Sequence, residues 1–477
     1  MIHFGTGGWR AIIGDEFTKS NIQLLSYSIG DLMEKTGTAN LGLCIGYDRR
    51  FLSKEAAHWA AEVFAARQIP CYVIDRSSPT PLIMFTVKQM NLPYGMTITA
   101  SHNPAIYNGV KFFTAGGCDA NEDVTNEIEF LTQKNAEVKI PFLDYDEGIQ
   151  SGIIKEINPL NSYIDSILSL VDTEAIKKAR LRIALDPMYG VSQTSLQTIL
   201  LTARCEVEVI HDRHDTLFGG RLPAPNIHTL GTLANFVLDH HCDLGIATDG
   251  DADRLGVIDD NGQFVHPNKL LVLLYYYLLK YRGWRGPAVR NNSTTHLLDK
   301  VAAGFGQSCY EVPVGFKYVS AKMEETGAII GGESSGGLTV KGHIRGKDGI
   351  YAATILTEMV AVTGKHLSEL YKEITDQFGE VFNSDADFKL TPQNKERLQN
   401  ILYVENKLPD FPYEIDHVSY RDGCKVYFKN SGWVIVRFSG TEPLIRLCAE
   451  MSDQKSADRL ISVFSDFLGL ESELQSQ

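Results

Sequence analysis

No Cys-x-x-Cys pair occurs in the 477-residue chain; its eight cysteines (Cys44, Cys71, Cys118, Cys205, Cys242, Cys309, Cys424 and Cys448) stand singly. That spacing offers no paired-cysteine framework and predicts buried free thiols in a reducing cytoplasm. Positive charge is scarce too, since 45 Lys and Arg against 59 Asp and Glu give a net charge of −14. Without a basic face to displace counterions, nonspecific nucleic-acid binding is excluded, and any anionic substrate must be drawn by local arginines and lysines. Long apolar runs are missing as well. The longest, Leu270 to Leu279, is about half of what a bilayer span requires and predicts a buried helix, so no membrane partner is expected. Met1 to Arg10 shows no basic region followed by an apolar signal core.

What is present is an ordinary globular balance, 44% hydrophobic and 22% charged. The length exceeds what one core supports and predicts three or four domains. A supersecondary theme repeats three times. Each copy opens with a β-like run, Leu41 to Asp48, Leu181 to Asp186 and Pro287 to Asn291. A helical stretch follows, and then a second apolar run that empties into a polar loop: Gly95 to Ser101, Asp243 to Asp249 and Ala328 to Glu333. Strands alternating with helices predict an α/β fold of mixed or parallel sheets, with ligands bound beyond the strand ends. Boundaries are expected near residue 150, after the polar stretch from Glu122 with Pro141 and Gly148, and near Leu255, before the hairpin signal Asp259-Asp260-Asn261-Gly262. A last one is expected near Asp376. The units are therefore 1–150, 151–255, 256–376 and 377–477, the fourth reading as α+β from short strands around Cys424 to Phe428 and Trp433 to Phe438.

Three segments carry chemistry. The first, Thr99-Ala100-Ser101-His102-Asn103-Pro104, places a hydroxyl on a polar loop directly after the apolar run Tyr94 to Ile98. Without a Gly-x-Ser-x-Gly elbow the hydrolase reading loses its support. Ser101 could cap a helix, act as a nucleophile, or carry a phosphoryl group. The second, Asp249-Gly250-Asp251-Ala252-Asp253-Arg254, alternates three carboxylates with small residues, so all three can turn toward one hard divalent cation. Magnesium is the expected metal, because it takes few carboxylates and completes its shell with phosphate oxygen or water. An EF-hand is excluded by the missing later glutamate. The third, Arg437-Phe438-Ser439-Gly440-Thr441-Glu442-Pro443 with Arg446 following, has the parts of a phosphate cradle.

Together these motifs resemble the α-D-phosphohexomutases, the superfamily of phosphoglucomutases and phosphomannomutases. The resemblance runs from Phe4 to Arg446 and includes a fourth motif, the sugar loop Gly332-Glu333-Ser334-Ser335-Gly336-Gly337. It implies three similar mixed-sheet α/β domains and a mobile C-terminal α+β lid around one central cleft.

The resemblance further implies an isomerase-class phosphotransferase that works on a phosphorylated hexose. Ser101 would be a phosphoserine in the resting enzyme and would pass its phosphoryl group to the substrate. The hexose 1,6-bisphosphate so formed would serve as intermediate and activator, turn over in the cleft and return its other phosphate. Mg2+ would be held by Asp249, Asp251, Asp253 and the Ser101 phosphate. Arg10, after Gly5-Thr6-Gly7-Gly8-Trp9, would contact the transferring phosphate. Lys111 would give acid/base or electrostatic help, and His102 would orient the loop. Arg254, Lys317, Glu333 and Ser335 would bind substrate, and Arg437, Ser439, Gly440, Thr441 and Arg446 its nonreacting phosphate. Many bacterial relatives of the phosphomannomutase type carry a histidine where this chain has Gly337, and His343 is the candidate substitute. The expected activity is that of a phosphoglucomutase, with a phosphomannomutase, a dual-specificity enzyme or a hexose-bisphosphate synthase as alternatives. A monomer or homodimer is expected.

Overall fold

The structure is a computed structural model, described for residues 2–5, 7–439 and 444–470. Its residues form four sheets. The first runs Trp9–Ile12, Tyr107–Thr114, Tyr94–Ile98, Leu43–Tyr47, Cys71–Ile74, Ile154–Ile157, with Cys118–Asp119 added beside Tyr107–Thr114. The four strands Tyr94–Ile98, Leu43–Tyr47, Cys71–Ile74 and Ile154–Ile157 are mutually parallel, and Tyr107–Thr114 turns antiparallel. The second runs Phe264–Val265, Leu255–Ile258, Leu244–Thr248, Arg182–Asp186, Glu206–Val209. The third runs Cys309–Val312, Ala288–Asn291, Ile330–Gly332, Leu338–Val340. The architecture is thus three mixed α/β sheets and a fourth, wholly antiparallel sheet backed by the helix Gln454–Leu468.

In each mixed sheet a fully buried parallel strand ends at a polar loop and the chain returns antiparallel. Tyr94–Ile98 delivers Ser101, Leu244–Thr248 delivers Asp249, and Ile330–Gly332 delivers Glu333. Strands covered on both faces read as continuous apolar runs, which is why these three stand out in the sequence.

Two helices knit the units together. Pro267–Lys280, with proline in its first turn, buries Leu270 through Leu279. Gly349–Thr363 buries every residue from Gly349 to Val360, so it has no solvated face and must be enclosed on all sides. Asp348 caps it by accepting from the N–H groups of Ile350 and Tyr351. One apolar cluster joins Leu82 and Phe85 of the first unit, Tyr163 and Ile167 of the second, and these two helices of the third. At about 1.5–3 kcal/mol per buried large side chain, that shared core holds the three polar loops in fixed relation. No described helix is long and apolar enough to cross a membrane.

Two sequence expectations shift here. Ile154–Ile157 pairs in parallel with Cys71–Ile74, so the first sheet continues past residue 150. The hairpin at Asp259 does not open the third unit: Leu255–Ile258 pairs with Leu244–Thr248 and Phe264–Val265 with Leu255–Ile258, which keeps the second sheet going to Val265. Strand pairing, which local composition does not encode, decides both.

Candidate active site

Ser101 lies at the turn where the first sheet meets the second. Its φ is +52°, a left-handed conformation rare for a non-glycine residue and a local strain that its surroundings must hold. They hold it tightly. The Ser101 N–H donates to Thr99 Oγ1 (2.9 Å), and Thr99 Oγ1 donates to Asp48 Oδ2 (2.6 Å). Arg50, buried against Asp48, donates to the carbonyls of Ser101 and Asn103 (2.7 Å each), Pro104 (2.9 Å) and Tyr107 (3.0 Å). Removing one member of such a buried pair typically costs about 3–5 kcal/mol, so Arg50 and Asp48 are the scaffold of the serine loop.

The strain aims Ser101 Oγ at the aspartate loop, and it donates to Asp249 Oδ2 at 2.7 Å. Gly250 makes the approach possible, since a Cβ there would lie 2.7 Å from the Ser101 carbonyl oxygen. Asp249, Asp251 and Asp253 are fully buried, and one ligand oxygen from each lies within 4.8 Å of the others. Lys111 Nζ donates to Asp251 Oδ2 (2.6 Å) and Asp253 Oδ2 (2.5 Å), Thr80 Oγ1 donates to Asp251 Oδ2 (2.6 Å), and Lys347 Nζ lies 2.9 Å from Asp253 Oδ2. Asp251 Oδ1 and Asp253 Oδ1 are buried without a hydrogen-bond partner, the latter 4.0 Å from Arg254 Nε. Orphaned carboxylate oxygens cost free energy unless a cation takes them, so the donor set fits a hard divalent ion.

Burial, then the neighbouring Asp251 and Asp253 charges, pushes the Asp249 carboxyl up. Burial also opposes ionisation of Asp253, but Lys111, Lys347 and Arg254 outweigh it and hold its carboxyl well below the usual range. Lys111 loses to burial and gains more from Asp251 and Asp253, so its ammonium is held upward and stays charged. Burial, then Arg254 and Arg10, pushes the His102 ring well below its ordinary value, leaving it neutral with Nδ1 3.4 Å from Ser101 Oγ. Arg10 donates to Asn103 Oδ1, and burial together with Arg254 lowers its guanidinium to about 10.

The loop 332–337 meets this cluster directly. Arg254 bridges Gly337, and Leu255 N donates to the Gly336 carbonyl at 3.1 Å. Glu333 is buried, its Oε1 accepting from Gly315 N (3.0 Å) and Asn291 Nδ2 (3.1 Å), while Ser335 is exposed.

Four domain models span the chain: phosphoglucomutase/phosphomannomutase domain I over residues 1–139, domain II over 161–262, domain III over 266–378 and the C-terminal domain over 393–466. A phosphoglucomutase/phosphomannomutase of Thermococcus kodakarensis is 31% identical over 457 residues, 95% of each chain. The chain belongs to the phosphoglucomutase/phosphomannomutase family. This makes it a phosphohexomutase, an isomerase-type phosphotransferase of the α-D-phosphohexomutase superfamily. It is also 28% identical to a phosphoglucosamine/phosphogalactosamine mutase of Sulfurisphaera tokodaii, covering 96% of this chain and 97% of that one. A Burkholderia thailandensis family member of known structure superposes with a TM-score of 0.81 at 21% identity, over 98% of both chains.

Not every expected site residue of this phosphohexomutase reaches the cluster. Ser101, His102, Arg10, Lys111, the three aspartates and Arg254 converge. His343 does not. Its side chain is buried among Phe85, Tyr163 and Tyr351, 3.3 Å from Asp348 Oδ2 and from Ser166 Oγ, so it is a core histidine that cannot replace one at position 337. Lys347 takes that space instead: a Cβ on Gly337 would come within 2.4 Å of Lys347 Cδ. Lys317 pairs with Glu122 of the first unit at 2.9 Å. Arg437 and Arg446 stand directly opposite one another on adjacent antiparallel strands and so share a face. Ser439 is buried beside them, whereas Gly440 and Thr441 lie outside the described residues.

Sequence reasoning missed Arg50, Thr80 and Lys347. Arg50 carried a usable signal, following the buried strand Leu43–Tyr47 as Ser101 follows its own.

Proposed function

We propose that this phosphohexomutase is a phosphoglucomutase, interconverting glucose 1-phosphate and glucose 6-phosphate through a phosphoserine and a hexose 1,6-bisphosphate. The observation that carries the reading is the strained Ser101 hydroxyl, 2.7 Å from Asp249 inside a buried triple-aspartate cluster. A hydroxyl held in this conformation beside three clustered carboxylates supports a role facing both a metal and a transferring phosphate.

Asp249, Asp251, Asp253 and the Ser101 phosphate would hold Mg2+, which when bound neutralises charge on the transferring group. Arg10 contacts that group's oxygens. Lys111, kept charged by its aspartates, offers a fixed positive charge rather than a base. In the forward half-reaction the Oγ–P bond breaks as a sugar oxygen bonds to phosphorus, and the proton of that sugar hydroxyl ends on Ser101 Oγ; the return half-reaction reverses both transfers. Neutral His102 orients Ser101 Oγ, and Lys347 stands where the histidine is missing, placed to relay the proton between the sugar oxygen and Ser101 Oγ. Glu333 and Ser335 grip sugar hydroxyls while Arg437, Ser439 and Arg446 hold the second phosphate. Arg254 and Lys317 line the substrate path.

A phosphomannomutase or dual-specificity enzyme is the second reading, supported by the combined name of the Thermococcus relative. Rates on glucose, mannose and glucosamine phosphates, measured side by side with a trace of the matching bisphosphate, decide between them. Fastest turnover of glucose phosphates supports the proposal, and faster turnover of mannose or glucosamine phosphates contradicts it. Stoichiometric consumption of a separate phosphoryl donor would instead mark a hexose-bisphosphate synthase.

A further inference from the structure

Two consecutive backbone N–H groups in the third unit donate to carboxylates of two different units. Gly315 N donates to Glu333 Oε1 (3.0 Å), and Val314 N donates to Asp422 Oδ2 (2.6 Å). Asp422 belongs to the fourth unit, in the turn before Cys424–Phe428. Its second oxygen, Oδ1, accepts from Arg437 Nε at 3.0 Å. The seam is doubled next door: Asn292 Nδ2 donates to the Asp422 carbonyl (2.7 Å), while its neighbour Asn291 donates to the same Glu333 oxygen (3.1 Å).

The local backbone is built for this arrangement. Gly315 has φ +132° and Gly423 φ +96°, conformations that strain any other residue. A Cβ on Gly423 would also lie 2.7 Å from the Val436 carbonyl oxygen and 3.2 Å from Arg437 Cβ, so the Asp422 turn is pressed against the arginine it holds. A carboxylate on Nε fixes the plane of a guanidinium and directs its Nη edge, the edge that suits a phosphate monoester.

We propose that Asp422 is a positioning residue that couples phosphate recognition to sugar recognition across the seam between third and fourth units. It fixes the Arg437 fork and, through the Val314 and Gly315 N–H groups, sets that fork relative to Glu333. The substrate class this geometry measures is a hexose carrying a phosphate at a set distance from its gripped hydroxyls. The inference rests on the reading of Arg437 as a phosphate contact and Glu333 as a sugar contact.

A kinetic double-mutant cycle tests it. Asp422→Asn keeps the shape and removes the charge, and is expected to raise KM for glucose 1-phosphate and glucose 6-phosphate about fivefold or more, the loss of a charge-assisted contact. Ser101 should still accept a phosphate from hexose 1,6-bisphosphate. In an Arg437→Ala background the same change should alter KM less than about twofold, because Asp422 acts through the arginine. Asp422→Ala should repeat the pattern, which guards against a fold defect peculiar to one variant. If Arg437→Ala raises KM but Asp422→Asn is silent, or its effect adds in full, the coupling is overturned while the phosphate reading stands. If Arg437→Ala itself leaves KM unchanged, the phosphate reading fails and takes the inference with it.

Discussion

Lys347 Nζ lies 2.9 Å from Asp253 Oδ2, and its stem fills the notch that a side chain on Gly337 would occupy. Glycine at 337 and lysine at 347 are thus one solution rather than two independent residues. Lys347→Met keeps the stem and removes the charge, and should lower kcat by about tenfold to a hundredfold, in line with loss of a group that assists proton transfer. Gly337→His alone should also be damaging, because the ring and the lysine stem cannot share the space. Combining Gly337→His with Lys347→Ala should recover part of that loss. Steady-state kinetics on the four proteins checks this, and an active Gly337→His single variant would contradict it.

The aspartate loop makes a prediction about metal. Asp251→Asn preserves size and can still accept from Thr80, but it removes one negative ligand. Mg2+ affinity and turnover should fall together by at least about tenfold. Calorimetric titration of Mg2+ into wild type and into each aspartate variant checks this. Unchanged metal binding in all three would refute the site, and a chelator should silence the wild type.

Much of this site was legible because its parts sit in polar loops at the ends of buried strands. Ser101 and Asp249 follow five-residue strands with no exposed position, and that contrast is visible in one dimension. Lys347 was not legible. Nothing in Arg345-Gly346-Lys347 marks it, and its role arises only when the third unit folds that turn under Gly337. His343 misled for the mirror-image reason: it looks like a loop histidine until Phe85 and Tyr163 arrive from two other units to bury it. The edge strand Ile154–Ile157 exposes Lys155 and Glu156, so its place in the first sheet rests on pairing and not on apolar content.

The seam between third and fourth units predicts a pH effect. Lys425 is buried, with Nζ 2.6 Å from the Asn292 carbonyl, 2.8 Å from Glu311 Oε2 and 4.4 Å from the centre of the Trp433 ring. Burial, then Arg290, lowers its ammonium to about 8 against the attraction of Glu311, from an ordinary value of 10.5. Between those two pH values the unfolded chain binds more protons at this site than the folded one, so the contribution of Lys425 to stability rises with pH. The difference in Tm between wild type and Lys425→Met should therefore move in favour of the wild type from pH 7.5 to about 10. Movement in the opposite direction would contradict the assignment.

The central claim is that Ser101 carries the phosphoryl group in turnover, and intact-mass analysis after incubation with hexose 1,6-bisphosphate tests it most directly. The wild type should carry one phosphate, located to Ser101 by fragmentation, and Ser101→Ala should carry none while melting like the wild type. Its turnover should fall below about a hundredth, since loss of a covalent nucleophile costs well over ~2.7 kcal/mol in the barrier. A phosphate found on another residue, or a Ser101→Ala variant that keeps more than that hundredth, would contradict the account.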